Sequence, residues 1–74
     1  MSHNIQSILF DKNYYTVQEA KRWIQHHNFK IAKEPDITPH LIRIRQHDPN
    51  ESKYHYVIKK IPNHIEFVLE YPKK

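Results

Sequence analysis

Two arginines placed two residues apart are the side chains in this sequence most suited to chemistry. Arg43 and Arg45 alternate with Ile42 and Ile44, which predicts a strand with arginines on one face and isoleucines on the other. Guanidinium groups about 6.6 Å apart along a strand suit phosphate or carboxylate. Alternatively, the arginines pair with acidic side chains or cover the sheet with their aliphatic stems. The acidic candidates are Asp48, Glu66 and Glu70.

The charge balance bears on the same choice. Twelve Lys and Arg against eight Asp and Glu give a net charge of +4, which favours acidic partners such as nucleic acid. The same charge is also ordinary for a small domain. In a nucleic-acid complex, we expect Arg43 and Arg45 to lead the contact and Lys59 and Lys60 to touch phosphates.

Seven histidines raise the question of a metal site. Zinc needs three or four ligands, and the chain has no cysteine. His26 and His27 would project about 100° apart on a helix, and no His-x-x-x-His pair occurs. We expect scattered histidines, with no metal and no other cofactor.

No pattern of residues indicates catalysis. Because glycine is absent, no glycine-rich loop can cradle a phosphate. Ser7 and Ser52 lack the surroundings of a nucleophile elbow, and Glu66 and Glu70 are typical of acidic residues that keep a strand soluble. We expect no enzymatic activity and no small-molecule substrate.

The chain also lacks signals for membranes and secretion. No segment approaches the ~18 apolar residues of a membrane-spanning helix. The start at Met1 has neither the basic region nor the apolar run of a signal peptide. We expect no membrane partner and no secretion.

One helix is predicted from Thr16 to His27. Thr16 and Glu19 have the spacing of a capping box, and Asn28 suits the left-handed position after the helix. The apolar stripe recurs at helical spacing and comprises Val17, Ala20, Trp23, Ile24 and His27.

The remaining elements are predicted strands in a single domain, 1–74, with a tail at 72–74. The strands are Ile5–Phe10, Phe29–Lys33, Leu41–Gln46, Tyr54–Ile61 and Ile65–Tyr71. The order β-α-β-β-β-β predicts an α+β fold, in which one helix packs on one face of an antiparallel sheet of four to five short strands. Short connections predict that the last three strands form a meander.

Several connections and side chains carry their own expectations. Glu34–Pro39 is a predicted loop because both of its prolines disfavour strand. Asp48–Glu51 is a predicted type I turn, in which Asp48 bonds backbone N–H groups. Tyr54 and Tyr56 share a strand face and are expected to line the core. The last hairpin has two open registers: a two-residue loop pairs Lys59 with Glu66, and a three-residue loop with His64 as a bulge pairs Lys59 with Phe67.

The helix and third strand together resemble a small domain family of giant DNA viruses of amoebae and algae and of tailed phages. The similarity covers about residues 8 to 71, and its most specific part is the Arg-x-Arg-Gln-x-Asp-Pro element that begins at Arg43. The helix contributes Tyr15-Thr16, Glu19-Ala20, Trp23-Ile24, His26 and Phe29-Lys30, and a further match is Lys59-Lys60-Ile61. The family pattern has glycine where this chain has Asn28 and His64.

The resemblance implies a viral protein without an assigned activity. It places the protein inside the infected host, in cytoplasm, viral factory or nucleus, or in the virion. Our leading hypothesis is weak, sequence-independent nucleic-acid binding through a basic sheet face. The alternative is a protein-interaction or structural virion component that forms a homodimer, or binds another viral protein, through its sheet. A uniformly basic face around Arg43 would favour nucleic acid, whereas Glu66, Glu70, Val57 or Val68 on that face would favour protein pairing.

Overall fold

The computed structural model describes residues 4–73, which form one helix and a five-stranded antiparallel sheet. The elements are β1 (Asn4–Asp11), α1 (Val17–His26), β2 (Asp36–Ile37), β3 (Leu41–Arg45), β4 (Tyr54–Ile61) and β5 (Ile65–Pro72). This order and the α+β class confirm the sequence prediction. No helix within the described residues has the length and apolar character that crossing a bilayer requires.

The strand order is β2-β3-β1-β5-β4, so the predicted meander of the last three strands is wrong. Strands β3 and β4 lie on opposite sides of β1 and β5, and residues 46–53 connect them across the end of the sheet. The physical reason is the composition of β1. Its residues are buried from Gln6 to Phe10, and a strand that buries both faces belongs at the centre of a sheet.

The hydrophobic core fills the space between α1 and one face of the sheet. Seven buried apolar residues form it: Ile8, Phe10, Ala20, Ile24, Ile42, Ile44 and Ile65. Trp23 packs against this cluster, with its ring edge-to-face on Phe10 at 5.6 Å. The alternation of isoleucine and arginine in β3 therefore places the isoleucines under the helix, as the sequence predicts.

Both ends of α1 match the prediction. The Thr16 hydroxyl accepts a hydrogen bond from the Glu19 N–H at 3.1 Å, and the Glu19 carboxylate accepts one from the Thr16 N–H at 2.8 Å. Asn28, the residue after the C-cap His27, has φ 62°. An asparagine tolerates this left-handed conformation better than most residues other than glycine.

The second strand does not lie where the sequence predicts. The segment Phe29–Lys33 has no strand conformation, because it meets β3 through a single backbone hydrogen bond, from the Ala32 N–H to the Arg45 carbonyl at 3.2 Å, and otherwise through a side chain. The Gln46 amide accepts from the Lys30 N–H and donates to the Lys30 carbonyl, at 3.1 and 2.6 Å. The short strand β2 falls instead in the predicted loop Glu34–Pro39. As a two-residue edge strand, it tolerates prolines on both sides.

The last hairpin adopts the three-residue loop. Lys59 pairs with Phe67, and Ile61 pairs with Ile65, so Pro62, Asn63 and His64 form the turn. Positive φ angles of 74° at Asn63 and 65° at His64 give the chain its reversal without glycine.

We predict that Thr16→Ala lowers the free energy of unfolding by about 1 kcal/mol, because one N–H in the first turn loses its acceptor. Urea unfolding followed by circular dichroism measures this change. The matched control is Ser52→Ala, which removes an exposed hydroxyl outside the helix. Equal unfolding midpoints for Thr16→Ala and the parent would contradict the capping role.

Candidate functional site

The face of the sheet that points away from α1, here called the open face, carries most of the predicted site. Paired residues on neighbouring strands project to the same side, and Arg43 pairs with Leu9 while Leu9 pairs with Glu66. The register also places Lys60 opposite Glu66. The open face therefore brings together Arg43, Arg45 and Lys60.

Lys59 lies apart from the other predicted site residues. It pairs with Phe67, whose side chain packs against the core under α1. Consecutive residues of a strand project to opposite faces, so Lys59 and Lys60 cannot contact one ligand on the open face. The four predicted nucleic-acid residues thus divide into three on the open face and one on the helix side.

Arg43 is held by two fully buried polar residues of β1. Its Nε donates to the Ser7 hydroxyl at 3.2 Å, and its Nη2 donates to Gln6 Oε1 at 2.8 Å. A register shift between Ile5 and Ser7 interrupts the regular alternation of β1, so that both polar side chains reach Arg43. Arg43 forms no ion pair with any residue in the range 4–73.

Arg45 is neutralised by acidic neighbours. Its guanidinium lies 2.8 Å from the Asp36 carboxylate and 3.9 Å from that of Asp48. Asp36 is not one of the acidic partners that the sequence predicts, because β2 falls in the predicted loop. Arg45 therefore serves the packing of β2, β3 and the following loop.

Asp48 does not have the turn role that the sequence predicts. Its carboxylate lies 2.6 Å from Lys33 Nζ, and the turn begins two residues later, where the Asn50 carbonyl accepts from the N–H groups of Lys53 and Tyr54. The hydrogen bond from Lys33 and its positive charge lower the pKa of Asp48 below its usual value of 3.8, and the charge of Arg45 acts in the same direction.

A buried carboxylate closes the other end of the open face. Glu70 is 2% exposed, so its predicted role as a solvated strand residue is wrong. Its Oε1 lies 2.9 Å from His47 Nε2, and Gln6 Nε2 donates to the His47 carbonyl at 2.6 Å. Its Oε2 is buried without a partner among the described residues. Gln6 and His47 are not among the predicted site residues, although a Gln-Ser pair inside an apolar strand is a signal of a buried polar network.

The open face also has an apolar part. Leu9 and Val68 are each only 7% exposed, and with Pro49 and Glu51 of the segment 46–53 they line a groove of about 580 Å³. Tyr56 lines this groove, and its hydroxyl accepts from the Asn50 N–H at 2.6 Å. Tyr56 pairs with Glu70, on the open face, so the expectation that this side chain lines the core under the helix is wrong. Tyr54, two residues earlier on β4, projects to the same face as Tyr56.

The open face is therefore mixed in character. Three basic side chains share it with Glu66, Glu70 and Val68, whereas Val57 projects to the helix side. By the criterion set from the sequence, this composition favours protein pairing over nucleic acid. Within residues 4–73, no three His, Asp or Glu side chains converge closely enough to hold a metal ion.

We predict a pH-dependent stability difference between the parent and Asp48→Asn. The lowered pKa of Asp48 stabilises the fold at pH values above 3.8, and this contribution is lost as the pH falls through the folded-state pKa. Urea unfolding from pH 7 to 2.5 should show a less stable variant at neutral pH and convergence in acid. The control is Glu34→Gln, an exposed carboxylate, and a pH-independent difference for Asp48→Asn would contradict the ion-pair role.

We predict that Arg43→Ala lowers the free energy of unfolding by about 1–3 kcal/mol, because buried Gln6 Oε1 and Ser7 Oγ lose their donor. The matched control is Arg22→Ala, on the exposed side of α1. Thermal and urea unfolding measure both variants. Equal stability of the two variants would show that Arg43 is free for other roles.

Comparisons with known proteins give no relative for this chain. No protein-family model, no curated protein and no solved structure matches it significantly. Its function is therefore inferred from its own residues.

Proposed function

We propose that this protein is a non-enzymatic interaction module that pairs with a second copy of itself along the exposed edge of β4. The observation that carries the proposal is a pair of consecutive apolar residues. Val57 and Ile58 are 44% and 58% exposed, and they project to opposite faces of the sheet, opposite Leu69 and Val68. A partner on one face would cover one of them, whereas an added strand covers both because its own side chains alternate.

The edge of β4 is suited to such an addition. It is the last strand in the sheet order and runs for eight residues, Tyr54–Ile61, so its outer side presents a row of backbone N–H and C=O groups. The opposite edge, β2, has two residues and lies between Pro35 and Pro39. Of the two edges formed by residues 4–73, β4 alone offers a long template.

Charge favours an antiparallel arrangement of the two edges. Lys59 and Lys60 both lie at one end of β4, and parallel pairing would set them against the same lysines of the second copy, which is unfavourable. An antiparallel register centred on Val57 keeps side chains on matching faces. It places Lys59 beside His55, and Lys60 beside the Tyr54 ring of the other copy, a favourable partner for an ammonium group. The contact is symmetric and closes on itself as a dimer.

The viral origin implied by the family resemblance belongs to this proposal. A structural component of a virion is present in many copies. A strand edge that pairs with the same edge of a second copy supplies such a component as dimers. A strand of another viral protein is the alternative occupant of the same edge.

Nucleic-acid binding through Arg43, Arg45, Lys59 and Lys60 remains a prediction that the geometry supports less. Arg45 is paired with two carboxylates, and Lys59 projects to the helix side. The open face also carries Glu66, which would repel phosphate. A complex with a short DNA duplex at low salt, with affinity falling by a log–log slope of about −3.6 for four phosphate contacts, would favour the nucleic-acid function.

We predict that the parent sediments as a dimer as its concentration rises from micromolar to millimolar, and that Ile58→Lys and Val57→Lys each shift it to the monomer. A lysine at either position places charge in the pairing edge. The matched control is Ile37→Lys, which changes an equally exposed apolar residue, 55%, on the opposite edge. Sedimentation equilibrium measures the masses.

A parent that stays monomeric throughout this range would overturn the proposal. Equal dissociation by Ile37→Lys would also overturn it, since the effect would then not belong to β4.

A further inference from the structure

The groove on the open face has the size and composition of a small-molecule site. Its volume of about 580 Å³ lies within the ~300–1,000 Å³ usual for ligand pockets, which combine apolar walls with a few placed polar groups. Leu9, Arg43, Tyr56 and Val68 line it, and so does Ile58 of the β4 edge. The groove exists within one chain and does not depend on pairing at β4.

Of the charged groups that line the groove, Arg43 is the one that is held in place by hydrogen bonds and forms no ion pair with a described residue. Its Nε and one Nη are bonded to Ser7 and Gln6, which fixes the plane of the guanidinium while other N–H donors remain. No carboxylate in the described residues forms an ion pair with it. A half-buried cation without a counter-ion is unfavourable, so a ligand carboxylate would gain a charge-assisted, planar contact.

Neither of the two acidic residues that line the groove acts as the counter-ion of Arg43. Asp36 is opposite Arg43 in the register, but its carboxylate is engaged at 2.8 Å by Arg45. Glu51 lies on the exposed turn at the rim. The cationic position at Arg43 is therefore available to an incoming anion.

The rest of the groove favours an apolar chain over a peptide. Leu9 and Val68 belong to β1 and β5, which are paired with strands on both sides. Their backbone N–H and C=O groups are thus engaged within the sheet and cannot bond a peptide backbone, whose own polar groups would be left unsatisfied. An unbranched hydrocarbon makes no such demand.

We infer that the groove binds an amphipathic monocarboxylate, with the carboxylate on Arg43 and the apolar chain along Leu9 and Val68 toward Tyr56. This goes beyond the proposed self-association. It concerns a bound ligand and no reaction, so it leaves the expectation of a non-enzymatic protein unchanged.

The inference is tested on the full chain with three ligands of one chain length: octanoate, 1-octanol and octylamine. Calorimetry and ¹⁵N NMR titration should give saturable octanoate binding, with shifts at Leu9, Arg43 and Val68. The alcohol should bind at least ~10-fold more weakly, since it lacks the charge-assisted contact, and the amine should not bind at the groove. These comparisons use the parent and do not depend on a variant that folds.

A second arm uses Arg43→Gln, with Arg22→Gln as the charge-matched control on α1. NMR spectra first establish that both variants are folded, and octanoate affinity should fall about ten-fold or more for Arg43→Gln alone. Equal affinities for octanoate and octanol, tighter binding of the amine, or octanoate shifts confined to other surfaces would overturn the inference. Binding of a peptide through its C-terminal carboxylate, without binding of octanoate, would also overturn it.

Discussion

The first strand of the chain pairs with β3 on one side and β5 on the other, and both of its faces are covered. This arrangement determines the rest of the sheet. Because β1 lies between them, β3 and β5 cannot be neighbours. Strand β4 therefore pairs with the outer side of β5, at the edge of the sheet. Residues 46–53 must then cross the end of the sheet. The exposed edge of β4 and the groove beside the crossing loop are both consequences of this order.

Polar residues within β1 connect this centre to the open face. Gln6 receives a hydrogen bond from Arg43 and donates one to the His47 carbonyl, so a single side chain fixes both an arginine in the groove and the start of the crossing loop. His47 in turn meets the buried Glu70. The amide of Gln6 is satisfied at both its oxygen and its nitrogen, which ties the loop to one position and gives the groove a defined wall, whereas Glu70 Oε2 has no partner among the described residues.

Local interactions could be predicted from the sequence, and distant ones could not. Thr16 and Glu19 lie in one helical turn, so their spacing predicts the capping box. The alternation of arginine and isoleucine in β3 likewise predicts which face of that strand is buried. The partners of Arg43 lie 36 and 37 residues away, beyond any local pattern. The predicted strand order is wrong because short connections favour pairing between strands that are consecutive in the chain. The burial of both faces of β1 instead places β1 at the centre of the sheet. The Gln46 side chain bonds the backbone of Lys30 where the sequence predicts a strand, and the spacing of apolar residues does not predict such a contact.

Hydrogen exchange of the β4 amides at two protein concentrations tests the central claim, that this edge receives a strand from a second copy. Alternate amides of Tyr54–Ile61 point outward, away from β5. The account predicts that these amides exchange rapidly in dilute solution and become protected as concentration rises, while the exchange rates of the β2 amides do not change with concentration. Outward β4 amides that exchange at the same rapid rate at both concentrations would contradict it.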